Sequence, residues 1–561
     1  VTNRPYLRHI PTGDISREMP PEFPEHTETD VVVIGAGPNG LIASAYLSAA
    51  GFDVTLIERR FEIGGGLATE EILFPGRYAN THASYHYMVD YLPPIHDFDL
   101  GEQGLRYHKP FGQIGGVFGE DFVYLCRSLE DSRDSLARFG FDQANKFGDM
   151  ALRFRGIVEE ILAPATYLPP DPPLDLTDAL QRTARGQDML ELSEMSALEV
   201  LSGYGMRDSI TGTLLYSACQ WGLSPVESGL GFMVPLMIDR GTQKAFVHGG
   251  SHRLASSLSR IILRQGGLIL DNCEVVEITN DGDRATGVLL EDGRSITART
   301  AVLSTLDPQS TFLRLLPAEA VPSDTRDAAE SWAWDKWSLL TVFYATEGKP
   351  EWRPNPNNGM IGMPDPFDAI LGFESTDDVV SFLGAVEKGE IPKFAGHFTC
   401  ETAFDPTLSQ KEGQHVSFFQ MPAPYDWPWD ERRDEVIREV TTLLDAHYQG
   451  FADSVVDVMV ETPRTIESRI PCMRRGSIKH GDYNPLQMGF NRPNVDCSSS
   501  RTPVDGLYLG GASMYPGGMV IGGPGYISAQ TICEDQDVKF PFEHSEGMKR
   551  YLATYFPDGK G

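Results

Sequence analysis

Gly35, Gly37 and Gly40 stand at the spacing G-x-G-x-x-G, between the β-branched run DVVVIG at 30–35 and the apolar stretch LIASAYLSAA at 41–50. The first glycine permits a tight turn, the second lets a pyrophosphate approach the backbone, and the third lets a helix pack close to its strand. Pro38 and Asn39 fill the turn, where the unpaired N–H groups of a helix start meet phosphate oxygens. Glu58 follows Gly40 by 18 residues and closes the run VTLIE at 54–58. A carboxylate in that place accepts hydrogen bonds from ribose hydroxyls. Strand, glycine turn, helix, strand and acid together predict a dinucleotide site.

Two further clusters choose the dinucleotide. Arg59 and Arg60 lead into Gly64-Gly65-Gly66-Leu67, a second glycine turn just after the second strand. NAD does not need it, whereas the longer FAD has a pyrophosphate and ribityl chain to lay along it. Near the other end, residues 502–529 read TPVDGLYLGGASMYPGGMVIGGPGYISA. A short strand at 507–509 is followed by glycines that let backbone lie against a flavin ring. A helix start near Gly522 then aims its positive end at the pyrimidine carbonyls.

Flavin dehydrogenation needs an apolar cradle and at most one acid–base group. The segment 81–87, THASYHY, offers His82 and His86 beside two tyrosines, for a polar substrate group or a proton shuttle. His480 precedes Phe490-Asn491-Arg492-Pro493 and is a second candidate, with Arg492 expected to pin a loop. Tyr515 and Met519 neighbour the expected flavin contacts. Trp332, Trp334, Trp337, Phe343 and Tyr344 alternate partly as a strand would, and core packing is the expectation for most of them. No metal cluster and no catalytic triad is apparent.

Further elements must carry these groups. Residues 253–264 put Leu254, Leu258, Ile261 and Ile262 on one helical stripe. Strands follow at 268–270, 275–278 and 285–290, with turns at Asp281-Gly282 and Asp292-Gly293. The proline cluster YLPPDPPLDL at 167–176 reads as a surface crossing.

The 561 residues carry 47 Lys and Arg against 79 Asp and Glu, a formal charge of −32. Such a chain repels phosphate backbones and anionic headgroups, so nucleic acid and electrostatic membrane docking are not expected. Seven dispersed cysteines, none at C-x-x-C spacing, predict reduced thiols in a cytoplasmic protein. Residues 1–29 show no apolar signal core, and no transmembrane segment is expected.

The separated motifs GAGPNGL (35–41), GGGLATEE (64–71), HGG (248–250), EVVEI (274–278), Asp307-Pro308, FNRP (490–493) and GGASMYPGGMVIGG (510–523) resemble one family over nearly the whole chain. It is the phytoene-desaturase-like branch of the flavin amine oxidase superfamily, which includes carotenoid desaturases, carotenoid isomerases and retinol saturase. The resemblance implies that Gly35, Gly37, Gly40 and Glu58 hold the AMP half of FAD, with Gly64, Gly65 and Gly66 along the pyrophosphate and ribityl region. Val276 would give its backbone to the adenine, while Gly511, Ala512, Gly518, Met519 and Val520 would line the flavin. Two departures stand out: Gly66 and Leu67 occupy the place of an arginine, and Met514-Tyr515-Pro516 replaces Thr-His-Pro.

The expected architecture is an α/β fold: a Rossmann-like FAD-binding domain of discontinuous segments with an inserted α+β substrate domain on a mixed sheet. An N-terminal arm (1–29) and a C-terminal tail (541–561) flank it. The FAD segments are 30–105, 241–318 and 466–540, and the substrate segments are 106–240 and 319–465. The expected activity is dehydrogenation of a largely apolar small molecule by hydride transfer to the flavin, reoxidised by oxygen, a quinone or another carrier. Redox-neutral double-bond isomerisation, amine oxidation and a non-catalytic flavin-bound scaffold are the competing readings. Oligomeric state is not encoded in any pattern here.

Overall fold

The computed structural model describes residues 26–353, 363–557 and 559. Its first sheet is built on a parallel core. The strand His26–Ile34 lies between Val54–Ile57 and Ser295–Ser304, with Leu268–Leu270 and Leu507–Leu509 outside them. All five run the same way, and both faces are covered, which is why the strand residues Val31, Val32, Val33 and Val54 are wholly buried. Val275–Asn280 and Ala285–Leu290 add an antiparallel flap to the first half of Ser295–Ser304.

The register places the chemistry. Ile34 pairs with Ile57 and with Ser304, Ile57 pairs with Leu270, and Ser304 pairs with Leu509. The carboxyl ends of all five strands therefore finish on one edge, where ligands of open α/β sheets bind. The glycine turn at 35–40, Glu58 and the 510–523 segment all emerge there. The helix Pro38–Ala49 packs beside the helix Gly523–Asp535, whose N-cap is Gly522.

The second sheet has seven strands in the order Val455–Glu461, Ser338–Glu347, Gln414–Ala423, Gly396–Thr399, Asp368–Phe373, Gly112–Phe118 and Asp121–Cys126. Its pairs are antiparallel except Asp368–Phe373 with Gly112–Phe118, so the sheet is mixed. The helix Asp208–Cys219 lies against Gly112–Phe118, buried over nearly its whole length. Phe343 and Tyr344 sit within Ser338–Glu347, paired on both sides, and are core residues.

Both expected chain ends need correction. Residues 26–29, assigned to the arm, are strand, because Ser295–Ala298 offers them a parallel partner that a polar HTET sequence does not advertise. Residues 1–25 lie outside the described residues. About half of the expected tail is a docked helix, Glu546–Tyr555: Ser545 caps it through the Met548 N–H at 3.3 Å, and Met548, Tyr551 and Tyr555 are buried. Among the described residues no helix is long and apolar enough to cross a membrane. All seven cysteines are unpaired.

Candidate active site

A cavity with an empty volume of about 1610 Å³, counting its open mouth, runs along the carboxyl edge of the first sheet. At one end the backbone N–H of Ala36 donates to Glu58 Oε2 at 2.9 Å and that of Arg60 donates to Oε1 at 2.9 Å. These bonds hold the carboxylate at the cavity wall with further lone pairs free. Burial raises the pKa of Glu58, and the two N–H bonds act against that rise. Gly64 N–H donates to the Ala36 carbonyl at 2.7 Å, which folds the second glycine turn over the first. A Cβ placed on Gly37 would meet nothing within 4 Å, although its neighbours crowd the turn. That vacant space above a helix N-terminus is what a pyrophosphate requires, so the residues present fit a dinucleotide.

At the far end the wall is made by Ala512, Gly518, Met519, Val520, Ile478 and His480. Met519 (φ 68°) and the β-branched Val520 (φ 56°) both adopt left-handed backbone, a strained pair that the surroundings must enforce. Arg492 ties together the loops beside this wall. It is wholly buried, and its Nη2 donates to the carbonyls of Lys479 (3.0 Å) and Ala512 (3.1 Å). Its Nη1 donates to those of Asp482 (3.2 Å) and Gln487 (3.3 Å). Four loop carbonyls thus converge on one guanidinium, the loop-pinning role expected for it.

A second cavity, with an empty volume of about 1880 Å³, adjoins this end. Its wall is apolar and rich in methionine, including Met88, Met189, Met233 and Met237. The two cavities share Tyr87, Gly518 and Met519.

A family model described as flavin containing amine oxidoreductase matches residues 39–523. The chain belongs to that family. A limonene dehydrogenase chain of Castellaniella defragrans is 35% identical over 536 residues, spanning 91% of this chain and 95% of the relative. The neurosporene-forming phytoene desaturase of Rhodobacter capsulatus is 24% identical over 550 residues, spanning 89% and 93%. An oxidoreductase of Methanosarcina mazei shares the fold, with a TM-score of 0.57 at 16% identity over 91% of this chain and 100% of that one. The protein is a flavin-dependent oxidoreductase of the phytoene-desaturase-like branch, and its cofactor is FAD.

Within this family member, Gly35, Gly37, Pro38, Asn39, Glu58 and Arg59 line the cavity at the end formed by the first glycine turn. Gly65, Gly66, Ala512, Gly518, Met519 and Val520 continue its wall. Gly40, Gly64, Leu67 and Gly511 stand behind the wall and shape it by close packing; Leu67 is wholly buried. Val276 is not on the wall, which here is Cys273, Glu274 and Val275; its side chain is 41% exposed. A register shift between Val275 and Glu277 leaves Val276 without a cross-strand partner and turns both Val276 and Glu277 outward.

The catalytic candidates separate. His82 lines the cavity, but its Nε2 accepts from Arg469 Nη2 at 2.8 Å and its Nδ1 faces Glu461 at 3.9 Å. Burial, then the charges of Arg469 and Arg60, push its pKa well down. A neutral imidazole so engaged positions Arg469 and does not collect a substrate proton. His86 lines neither cavity; its Nδ1 pairs with the Tyr107 hydroxyl at 2.8 Å and its backbone pairs with Ala245. It is a structural residue. Tyr515 lies on the second cavity, its hydroxyl donating to the Ala165 carbonyl at 3.1 Å. His480 remains: it lines the flavin cavity, and its Nδ1 is buried without a hydrogen-bond partner among the described residues. Burial lowers its pKa to about 4, so the imidazole is neutral at neutral pH.

The sequence reading did not find the ionic cluster behind His82. Arg469 Nη1 donates to Glu70 Oε2 at 2.7 Å and Nη2 donates to Glu461, while Arg60 donates to Glu70 at 3.2 Å. Burial raises Glu461 to about 7, with Arg469 acting against it. Arg469 follows Glu70 by 399 residues, a separation that no local pattern bridges.

Proposed function

We propose that this enzyme dehydrogenates a largely apolar organic molecule that occupies the methionine-rich cavity and reaches the flavin cavity past Tyr87, Gly518 and Met519. The observation that carries this reading is the apolar second cavity itself, which opens onto the flavin end and not onto the nucleotide end. Bound FAD supplies a two-electron acceptor for a hydride from a substrate C–H bond. The chain supplies the rest. Met88, Met233 and Leu236 present apolar surface that excludes water from a hydrocarbon. His480, neutral and with an unpartnered Nδ1, provides a place to hold the proton that leaves with the hydride. Reoxidation falls to oxygen, a quinone or another carrier.

The likeness to a limonene dehydrogenase chain and to a phytoene desaturase supports an unsaturated hydrocarbon as the first substrate class to try. The test is anaerobic mixing of the holoenzyme with limonene and with phytoene. Bleaching of the visible flavin bands, matched by a product with one more double bond, is expected. Conversion only after prior flavin reduction, with no net oxidation, would replace this reading by isomerisation. Release of aldehyde and ammonia from an amine would replace it by amine oxidation.

A further inference from the structure

Of the three residues common to both cavities, Gly518 has no side chain and Met519 has a flexible, partly exposed one. Tyr87 is different, because it is fixed from three sides. Its hydroxyl accepts from Trp221 Nε1 at 2.8 Å. Its ring meets Tyr85 edge-on, with centroids 5.4 Å apart at 73°. Its carbonyl accepts from Arg240 Nε at 3.1 Å, and Arg240 is itself tied to Asp90 (3.1 Å) and Asp239 (3.4 Å). Trp221 lines only the flavin cavity and Arg240 only the apolar one, so the clamp reaches into both walls.

We infer that Tyr87 is a specificity-determining residue: its immobilised ring, which with Gly518 and Met519 borders both cavities, admits only a slim segment of an apolar substrate to the flavin side and keeps the bulky part in the methionine-rich cavity. The inference rests on the proposed function for its substrate class, but its geometry does not depend on turnover. A ring held by a hydrogen bond and an edge-on neighbour, on backbone tied to an ion-paired arginine, cannot swing aside as a lone methionine can. Ligands of equal hydrophobicity are therefore sorted at this point by cross-section. The reactive double bond or C–H bond must lie on an unbranched or planar stretch.

The test compares Tyr87→Ala and Tyr87→Phe holoenzymes with the wild type, using linear and tert-butyl-substituted alkenes of equal carbon number. Displacement of Nile red reports occupancy of the apolar cavity, and perturbation of the visible flavin band reports arrival on the flavin side. In the wild type both alkenes displace the dye, but only the linear one perturbs the flavin. Tyr87→Ala lets the branched alkene perturb it too, with an apparent Kd within about tenfold of the linear alkene's. Tyr87→Phe keeps the ring but loses its bond to Trp221, and admits the branched alkene more weakly than Tyr87→Ala does. Met519→Ala removes the other side chain common to both cavities and serves if Tyr87→Ala loses FAD. A flavin response to the branched alkene in the wild type, no gain in the opened variants, or failure of the dye to bind would each overturn the inference. Absence of anaerobic bleaching by either alkene counts against dehydrogenation and leaves the sorting result standing.

Discussion

A Cβ on Gly65 would stand 3.1 Å from the Cα of Gly37. Two glycine turns, one after each of the first two strands, are thus pressed backbone to backbone. The contact follows from the register: Ile34 and Ile57 end level, so the turns leaving them collide unless Gly65 lacks a side chain. It also leaves Gly37 with one open direction, toward the cavity.

That open direction makes Gly37→Val selective. The added Cβ meets no protein atom within 4 Å, so the apoprotein should unfold near the wild-type temperature. The branched side chain takes the space a pyrophosphate needs, so visible flavin absorbance should be lost from the purified protein. Thermal melts of both apoproteins and FAD titration check the two halves. Stoichiometric FAD in a folded Gly37→Val protein would refute the assignment of that space.

Gly40→Ala should behave in the opposite way. Its Cβ would lie 1.9 Å from the carbonyl oxygen of Gly35, backbone against backbone, so neither atom can swing clear. The helix Pro38–Ala49 would have to move off its strand, at a cost of about 3–5 kcal/mol. A lowered melting temperature of the apoprotein is the expected readout, with flavin loss secondary to it.

The first sheet was legible because several of its strands are short apolar runs bounded by turn residues. The stretches 268–270 and 507–509 of the parallel core and 285–290 of the antiparallel flap, read from sequence, coincide with strands. What escaped reading depended on partners far along the chain. The polar residues 26–29 become strand only beside Ser295–Ala298, and Val276 faces outward at a register shift set by its partner strand. The docked helix Glu546–Tyr555 did carry a signal, with Met548, Tyr551 and Tyr555 on one stripe behind a serine cap, but its short length hid it among terminal residues. Spacing ranks His82 and His86 alike, yet His82 is engaged by Arg469, and His86 pairs with Tyr107 away from both cavities although its Nε2 has no partner among the described residues. Residue type reveals that a histidine can move protons; only the fold decides whether a free nitrogen reaches the cavity.

Arg492→Met tests the loop anchor. Methionine fills much of the volume but leaves the carbonyls of Lys479, Asp482, Gln487 and Ala512 without their shared donor. Burial lowers the arginine pKa only to about 10, so the native group is charged at neutral pH and its bonds are charge-assisted. A loss of about 3 kcal/mol in urea unfolding is expected. Flavin should also be held less tightly, since the loops beside Met519 and Val520 lose their tie. Unchanged stability together with unchanged FAD affinity would remove Arg492 from this role.

Glu401 supplies a pH-dependent term in stability that is separate from the flavin. It is buried, its Oε1 accepts from Asn80 Nδ2 at 2.7 Å, and burial raises its pKa to about 8, with the Asn80 bonds acting against the rise. Between the ordinary carboxylate range and pH 8 the unfolded chain has released this proton while the folded chain keeps it. Raising pH through that window therefore withdraws stability, on the order of 2 kcal/mol between pH 6 and 8. Buried histidines act with the opposite sign and at lower pH: His86 and His397, both lowered to about 4 by burial, give up stability as pH falls from about 6.5 toward 4. Glu401→Gln keeps an acceptor for Asn80 and cannot ionise. Its melting temperature should fall less than that of the wild type between pH 6 and 8, while the histidine-driven loss below pH 6 stays. Parallel melting curves across the alkaline window would show that Glu401 is not the group that releases the proton.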